Sequence, residues 1–242
     1  MILVLGETYD ALLGVRALLG ETVAAEPMAN NMPAFRGEAF GEEVVGITCG
    51  STDYLSLLVA AKAIMTYHPD VVFSLGESAA LSPRLRLGDI VIGNRIFFHG
   101  INFIEQGLPY GAIPGYQPYF FSDIALARLS EGVGIRMPTL RVLRGDILSG
   151  EKKIVDQEEF AAILLRRYAS LGHLMCYDLT SAGIALACKD ADIPYLPLKA
   201  ITYVPLEGQE GVMRERRISL TANEEVARLL FAILKERKGG KR

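Results

Sequence analysis

The sequence predicts an α/β fold, in which a central sheet is flanked by helices. Short apolar runs rich in Val, Ile and Leu recur along the chain, as they do in strands buried on both faces of a sheet. Stretches with apolar residues at helical spacing lie between these runs, an alternation typical of α/β proteins. The chain has 242 residues, 50% of them hydrophobic, with no internal repeat or linker, so we expect one domain over residues 1–242.

Eight strands are predicted from the apolar runs, with each end placed to within about two to four residues. In chain order they cover residues 2–5, 22–25, 43–48, 71–75, 89–98, 139–143, 174–178 and 195–201. The first run is too short to cross a bilayer and lacks the basic segment that begins a signal peptide. We therefore expect a cytoplasmic protein.

Four helices are predicted from the spacing of apolar residues, over residues 53–67, 157–169, 181–189 and 223–238. Asp53 is a suitable N-cap for the first of them, and Thr221 and Asn223 offer side-chain oxygens as caps to the last. Residues 102–119 mix Gly and Pro with aromatic residues, which predicts a long, ordered loop. The basic end of the chain predicts a disordered tail over residues 239–242.

Composition excludes several classes of protein. The chain has 25 Lys and Arg against 28 Asp and Glu, a net charge of −3, so it offers no field that would gather nucleic acid. Its hydrophobic content and low net charge exclude intrinsic disorder. Three cysteines without a C-x-x-C pair predict buried thiols in a reducing compartment. Three histidines far apart in sequence argue against a His-based zinc site.

Polar residues follow several predicted strands, at the edge of the sheet where α/β proteins bind ligands. Acidic side chains accept hydrogen bonds and repel phosphate, so this set predicts a ligand rich in hydroxyls or nitrogen donors. The alternative is that each short polar residue only caps the following helix, although caps do not call for Glu. The set comprises Glu7, Thr8 and Asp10 after the first strand, Glu77 and Ser78 after the fourth, Asp178 and Thr180 at the seventh, and Tyr203 after the last.

Six segments of the chain resemble motifs of the purine nucleoside phosphorylase and uridine phosphorylase superfamily. They are PDVVFSLGESAAL at residues 69–81, LGDIVI at 87–92, His99 with YGAIPG at 110–115, GDILSG at 145–150, DLTSAGIA at 178–185 and LKAITY at 198–203. They follow the order and spacing of that superfamily over residues 1–213, and the branch to which they are most similar is the methylthioadenosine/S-adenosylhomocysteine nucleosidases. Each motif alone is weakly specific, whereas their order predicts the fold.

The resemblance implies a central mixed, twisted and partly barrel-like sheet flanked by helices, in a protein that is usually a homodimer. It also implies cleavage of the N-glycosidic bond of a purine nucleoside, with no metal or other cofactor. In that reaction positive charge grows on the sugar while negative charge grows on the base. The site must therefore protonate the purine, hold the ribose hydroxyls and present water or phosphate to the anomeric carbon.

The same resemblance identifies departures at the catalytic positions of the superfamily. Its general acid, an Asp after the last strand, corresponds to Tyr203, a far weaker proton donor unless its environment changes its pKa. Its water-activating Glu corresponds to Ala11, with Asp10 beside it, and Glu77 stands where a hydroxyl normally contacts water or phosphate. The candidate catalytic residues are therefore Tyr203, Asp10 and Glu77, and Glu7 is a further candidate to activate water.

Other positions of the resemblance imply binding roles. The two Glu residues of a ribose-binding triplet correspond to Asp178 and Thr180, and Ile147 and Leu148 lie where a Phe and an aliphatic residue contact the purine. For this apolar pair, packing in the core is the alternative. The candidate ligand-binding residues are Glu7, Thr8, Ser78, Ile147, Leu148, Asp178, Leu179, Thr180 and Met213, and Gln106 and Pro114 are candidates to contact a partner subunit.

The sequence leaves three functions open. The first is a nucleosidase-like hydrolase with an altered acid/base set, because the two lost groups, worth about 10²- to 10⁴-fold each, need replacements. Phosphorolysis is the least expected activity, because the carboxylate of Glu77 would repel phosphate. The second is a non-catalytic relative that binds a nucleoside-type ligand or serves as a scaffold. The third is an enzyme that acts on an unrelated ligand, since a fold does not determine a function.

Overall fold

The computed structural model of the chain describes residues 1–20, 24–25, 32–152, 158, 162–163, 167–168, 173–204 and 212–240. Its strands are β1 (Ile2–Gly6), β2 (Ala24–Ala25), β3 (Ala34–Ala39), β4 (Glu42–Thr48), β5 (Val71–Ala80), β6 (Ile90–Phe98), β7 (Phe120–Phe121), β8 (Val142–Ser149), β9 (Leu174–Asp178) and β10 (Tyr195–Tyr203). The helices are α1 (Tyr9–Leu19), α2 (Asp53–Tyr67), α3 (Ile124–Ile135), α4 (Ser181–Asp190) and α5 (Val212–Gly239).

The strands form one sheet of mixed direction. β1 lies at its centre, parallel to both β4 and β5, and β3 and β2 extend one edge. The ten-residue strand β5 changes partner along its length, because its first half pairs with β1 whereas Ala79 and Ala80 pair with β9. β10 is hydrogen-bonded to both β5 and β6. Because β5 also pairs with β9, the strands β5, β10, β6, β8 and β9 form a closed barrel.

Helices cover both faces of the sheet because its central strands are apolar on both sides. Ile2 and Val4 of β1 pack in a core with α1, α3 and α5. Leu3 and Leu5 point the opposite way and pack with α2 and α4, as the two-residue period of a strand requires. A separate apolar cluster that includes Ile147 has members on all five strands of the barrel. The predicted mixed α/β fold with a partly barrel-like sheet is confirmed.

Most of the predicted elements overlap an observed one, but several bounds differ and four observed elements were not predicted. β8 covers Val142–Ser149, so the predicted strand at residues 139–143 begins too early and ends too early. β3, β7, α1 and α3 are absent from the predicted elements. The reason for β3 is its polar content, since Arg36 and Glu38 interrupt any apolar run. The reason for α3 is its two glycines, which lower helix propensity by about 1 kcal/mol each.

Two predicted helix caps are wrong. The N-cap of α2 is Thr52, whose Oγ1 accepts a hydrogen bond from the Leu55 N–H at 3.1 Å, so Asp53 is the first helical residue. α5 begins at Val212, which places Thr221 and Asn223 in the interior of the helix. Both corrections show that a polar residue near a helix end does not by itself locate the cap.

Other predictions fall partly outside the described residues. Most of the predicted helix at residues 157–169, residues 22–23, and Lys241 and Arg242 lie outside them. α5 continues through Gly239, which the sequence assigns to a tail. Residues 102–119 contain one 3-10 turn, Ile104–Gln106, and are otherwise irregular, as predicted.

All three cysteines are buried and free, as predicted. Within the described part of the chain, no helix combines the length and the hydropathy that crossing a bilayer requires.

Candidate functional site

Charged side chains converge where β1 ends and β5 passes between β1 and β10. Gly6 ends β1, and the next residue, Glu7, donates its backbone N–H to the carbonyl of Leu75 on β5 at 3.2 Å. Gly76 of β5 lies in register with Lys199 of β10. This register brings the carboxylate of Glu7 and the ammonium of Lys199 to the same point of the sheet, beside Gly76. We call the side chains of Glu7, Asp178, Thr180 and Lys199 the strand-end cluster.

Lys199 is the cation of the strand-end cluster, and its side chain is fully buried. Its Nζ lies 2.7 Å from Asp178 Oδ2 and donates to Thr180 Oγ1 at 3.0 Å. Burial alone would lower the pKa of Lys199, but the Asp178 and Glu7 carboxylates more than offset that effect, so its pKa lies above the ordinary value. Lys199 therefore stays charged inside the protein.

Asp178 is held on several sides. Besides Lys199, its Oδ2 accepts from Ser181 Oγ at 2.6 Å, and its Oδ1 accepts from the Ser181 backbone N–H at 3.3 Å. Ser181 is the first residue of α4, so the carboxylate also lies at the positive end of a helix. These contacts fix the orientation of Asp178 without solvent.

Glu7 is the member of the strand-end cluster with partial access to solvent. Burial raises the pKa of its carboxyl, Lys199 opposes that rise, and the negative charges of Asp178 and Glu77 add to it. A Cβ placed on Gly76 would lie 3.2 Å from Glu7 Oε2 and 3.5 Å from Lys199 Nζ. The glycine thus leaves room for both charged groups against the strand.

Glu77 accepts hydrogen bonds from two other elements. Its Oε2 accepts from Thr202 Oγ1 of β10 at 3.0 Å and from Ser219 Oγ of α5 at 2.9 Å. Its Oε1 accepts from Asn223 Nδ2 of α5 at 3.4 Å. The carboxylate therefore connects two strands to a helix.

A further buried carboxyl, Asp53, lies where the N-termini of α2 and α4 meet. Its Oδ1 accepts from Ser149 Oγ at 2.9 Å and from the Gly183 backbone N–H at 2.8 Å. Its Oδ2 has no hydrogen-bond partner among the residues that the structure describes. Burial, reinforced by the charge of Asp178, raises the pKa of Asp53 to about 7. The carboxyl therefore carries its proton through the acidic range.

The raised pKa of Asp53 predicts that stability falls as pH rises through the neutral range. Because the folded protein binds this proton more tightly than the unfolded chain, the free energy of unfolding declines from about pH 4 to about pH 7 and then levels off. Asp53→Asn removes this pH dependence, so wild type should lose stability relative to the variant as pH rises from 5 to 7. Urea unfolding between pH 5 and pH 8 measures it, with the exposed Asp190→Asn as control. Equal slopes for wild type and Asp53→Asn would contradict the prediction.

Comparison with known proteins identifies the family. The model of the phosphorylase superfamily matches residues 2–235. The chain belongs to this superfamily. The resemblance of the six sequence motifs is therefore confirmed.

Its relatives within the phosphorylase superfamily include several nucleosidases. A 5'-methylthioadenosine/S-adenosylhomocysteine nucleosidase of Tolumonas auensis is 23% identical over 202 residues, 84% of this chain and 85% of that protein. The nucleosidase of the same name from Neisseria meningitidis, solved with methylthio-immucillin-A, superposes with a TM-score of 0.87 at 22% identity, covering 97% of this chain and 98% of that one. Futalosine hydrolase of Helicobacter pylori gives a TM-score of 0.86 at 17% identity, covering 97% of each chain. The nucleosidase fold is thus shared.

The structure brings together some of the predicted site residues of this superfamily member. Glu7, Asp178 and Thr180 meet at Lys199, and Glu77 is near enough to raise the pKa of Glu7. Tyr203 is partly exposed at the end of β10, opposite Ala79 of β5.

Other candidates lie apart from that cluster. Asp10 is exposed in the first turn of α1, and Thr8 is the N-cap of the same helix, accepting from the Ala11 N–H at 3.3 Å. Ile147 and Leu148 are fully buried in two different apolar clusters. Of the remaining candidates, Ser78 is buried, Leu179 is partly buried, Gln106 and Pro114 are exposed, and the side chain of Met213, in the first turn of α5, lies outside the described residues.

Sequence reasoning missed Lys199 and gave Asp53 only a capping role. The signal for Lys199 was present, because it is the only charged residue in the apolar stretch of residues 195–203, where a buried cation needs a carboxylate partner. The signal for Asp53 was weaker, because its environment depends on Gly183, which is 130 residues away.

Proposed function

We propose that the protein hydrolyses the N-glycosidic bond of a purine nucleoside or a close analogue, using an altered acid/base set. Membership of the phosphorylase superfamily and similarity to proteins named as nucleosidases support this reaction class. The observation that carries the proposal is Glu7, a partly exposed carboxylate with a raised pKa beside the buried Lys199–Asp178 pair. A raised pKa makes a carboxylate a better proton acceptor near neutral pH.

In the proposed mechanism Glu7 accepts a proton from the water that attacks the anomeric carbon. Tyr203 donates a hydrogen bond to the leaving base, on which negative charge grows as the bond breaks. The base takes a proton from solvent as it departs, and Glu7 returns to solvent the proton that it accepted from water. Two buried residues set the pKa of Glu7. Lys199 lowers this pKa and Asp178 raises it. Asp10 is the alternative base, and it would need to act from its exposed position on α1.

Water, rather than phosphate, is the proposed nucleophile. The carboxylates of Glu7 and Asp178 lie beside one ammonium, that of Lys199, and Glu77 adds a further negative charge near Glu7, so the local charge opposes an anion. Hydrolysis should therefore proceed without phosphate and gain nothing from adding it.

The test is release of free base from a panel of purine nucleosides that includes methylthioadenosine, adenosylhomocysteine and futalosine, with and without phosphate. We expect release without phosphate, and a loss of about 10²-fold or more in Glu7→Gln. The matched control is Glu224→Gln on the exposed face of α5, which should keep the wild-type rate. No base from any nucleoside at high protein concentration and long incubation would overturn the proposal.

The second candidate is binding of a nucleoside-type ligand without turnover. It is favoured by the commitment of Asp178 and Thr180 to Lys199, which leaves these two groups engaged within the protein. A ligand that binds only the native state raises the melting temperature. Stabilisation by a nucleoside that remains intact after long incubation would support this candidate over hydrolysis.

We also propose that the protein is a homodimer. Tyr54 and Met65 of α2 are 77% and 75% exposed, and Met65 lines, together with Tyr116, an apolar groove of about 300 Å³ between α2 and α4. Gln106 and Pro114, the candidates for contact with a partner, are exposed in the same loop as Tyr116. Large exposed apolar side chains are typical of a subunit interface.

The dimer is tested by the mass of the protein in solution. Light scattering after size exclusion should give twice the chain mass for wild type and the chain mass for Met65→Glu, because a buried unpaired carboxylate opposes association. Arg128→Glu, an exposed change on α3, which packs on the opposite face of the sheet from α2, serves as control. A monomeric wild type at micromolar concentration would contradict the proposal.

A cytoplasmic location is proposed on the basis of the cysteines. All three thiols are free and buried, and burial raises the pKa of Cys49 to about 12, which keeps it protonated and unreactive. Free thiols are typical of proteins of a reducing compartment.

A further inference from the structure

We propose that Glu77 is a positioning residue, which fixes the end of β10 and the helix α5 beside the strand-end cluster, and that it does not activate water. The effect of Glu77 on the rate of base release rests on the proposed hydrolysis, whereas its effect on α5 does not. Three independent features of Glu77 support the inference: the direction of its side chain, the donors it faces and the irregular backbone it anchors.

The side chain of Glu77 points away from the face of β5 on which Glu7 and Lys199 lie. Neighbouring residues of a strand point to opposite faces of the sheet. The Cβ position of Gly76 points at Glu7 and Lys199. The side chain of Glu77 therefore leaves the other face, where α5 packs, and its contacts with Ser219 and Asn223 agree with that direction.

The donors around Glu77 occupy most of its hydrogen-bonding capacity. A carboxylate has about four lone-pair sites, and three of them accept from Thr202, Ser219 and Asn223. A base that activates water must hold that water in a hydrogen bond and take its proton. Glu77 would have to give up contacts that join β5, β10 and α5 in order to do so.

The backbone that Glu77 anchors is a β-bulge next to Tyr203. Ile201 pairs with Ser78 and Tyr203 pairs with Ala79, so Thr202 is the extra residue of β10 at this point. Bulges redirect the side chains that follow them. The hydroxyl of Thr202 donates to Glu77, so the carboxylate holds the bulge that aims Tyr203.

The orientation of Asn223 provides a substitution that separates positioning from acid/base chemistry. Asn223 Nδ2 donates to Glu77, whereas its Oδ1 has no hydrogen-bond partner among the described residues. In Glu77→Gln, the new amide oxygen accepts from the Thr202 and Ser219 hydroxyls. The new amide N–H₂ donates to Asn223 Oδ1 once that side chain rotates. Gln therefore preserves the connection but cannot take a proton, whereas Ala removes both.

The experiment compares Glu77→Gln, Glu77→Ala and Glu7→Gln by rate of base release and by hydrogen exchange of the α5 amides. We expect Glu77→Gln to keep kcat within about tenfold and to preserve the pH profile, because removing a true base costs about 10²- to 10⁴-fold. Glu77→Ala should lower kcat and speed exchange in α5. Glu224→Gln, exposed on the same helix, should change neither measurement.

Two outcomes would overturn the proposal. One is a Glu77→Gln variant as slow as Glu7→Gln with unchanged exchange in α5, which would make Glu77 the base. The other is a Glu77→Ala variant whose α5 exchanges at the wild-type rate. If wild type releases no base, the proposed hydrolysis fails, and the exchange of α5 in Glu77→Ala against Glu77→Gln still decides whether Glu77 positions this helix.

Discussion

Lys199→Met is expected to destabilise the protein by about 3–5 kcal/mol, because it leaves buried carboxylates without their cation. Asp178 is 2% exposed and would lose the Nζ contact at 2.7 Å, and Glu7 would lose the charge that opposes the rise in its pKa. Methionine preserves most of the length and the apolar stem, so the loss reports on the charge. Urea unfolding at pH 7 and pH 5 measures the effect, which should be smaller at pH 5, where more of the Glu7 carboxyl, whose pKa is raised by burial, is protonated.

The control for this variant is Lys189→Met, which removes an exposed ammonium from α4 and should change the free energy of unfolding by no more than about 0.5 kcal/mol. A second variant that combines Lys199→Met with Asp178→Asn should recover part of the loss, because it removes one of the unpaired charges. A loss below about 1 kcal/mol for Lys199→Met alone would mean that the strand-end cluster is hydrated in solution.

Gly183→Ala is expected to separate α2 from α4. A Cβ at this position would overlap the backbone oxygen of Asp53 and lie 2.8 Å from Ser56 Oγ, so one helix must move. Overpacking of this kind costs about 1–3 kcal/mol, and here it also strains the hydrogen bond from the Gly183 N–H to Asp53 Oδ1. Thermal unfolding should show a clearly lower melting temperature.

Gly132→Ala provides the matched control, since it makes the same chemical change in a different helix. The nearest group to a Cβ at Gly132 is the Arg136 guanidinium, at 3.9 Å, so α3 accepts the methyl group without a clash. There the higher helix propensity of Ala should stabilise the protein by about 0.5–1 kcal/mol. Opposite signs for the two substitutions are expected, and a stabilised Gly183→Ala would show that α2 and α4 have room between them.

The central strands could be predicted from the sequence because burial on both faces leaves a continuous apolar run. The end of β5 could not be predicted, since Gly76, Glu77 and Ser78 have the composition of a turn that follows a strand. They remain in β5 because β10 pairs with them on one side and β9 takes over beyond them on the other. Such pairing between distant segments has no local signal.

The site was predicted in outline, by the rule that ligands bind where strands end. That rule found Glu7, Glu77 and Asp178, but it gave no information on which face of the sheet each side chain lies on. The separation of Glu7 from Glu77 depends on alternation along β5 after Gly76, and therefore on knowing that these residues are strand rather than loop. Lys199 does not satisfy that rule, because it lies inside β10 rather than after a strand.

β5 belongs to both the open sheet and the barrel, so its number of residues is constrained by the strands that pair with it in each. Deleting or inserting a single residue between Val71 and Ala80 would exchange the two faces for every position downstream. A change before Glu77 would turn its carboxylate toward the ammonium of Lys199 and leave Ser219 and Asn223 without their acceptor. Homologous sequences should therefore vary in length within the irregular region at residues 102–119 and keep the residue count from 71 to 80 unchanged.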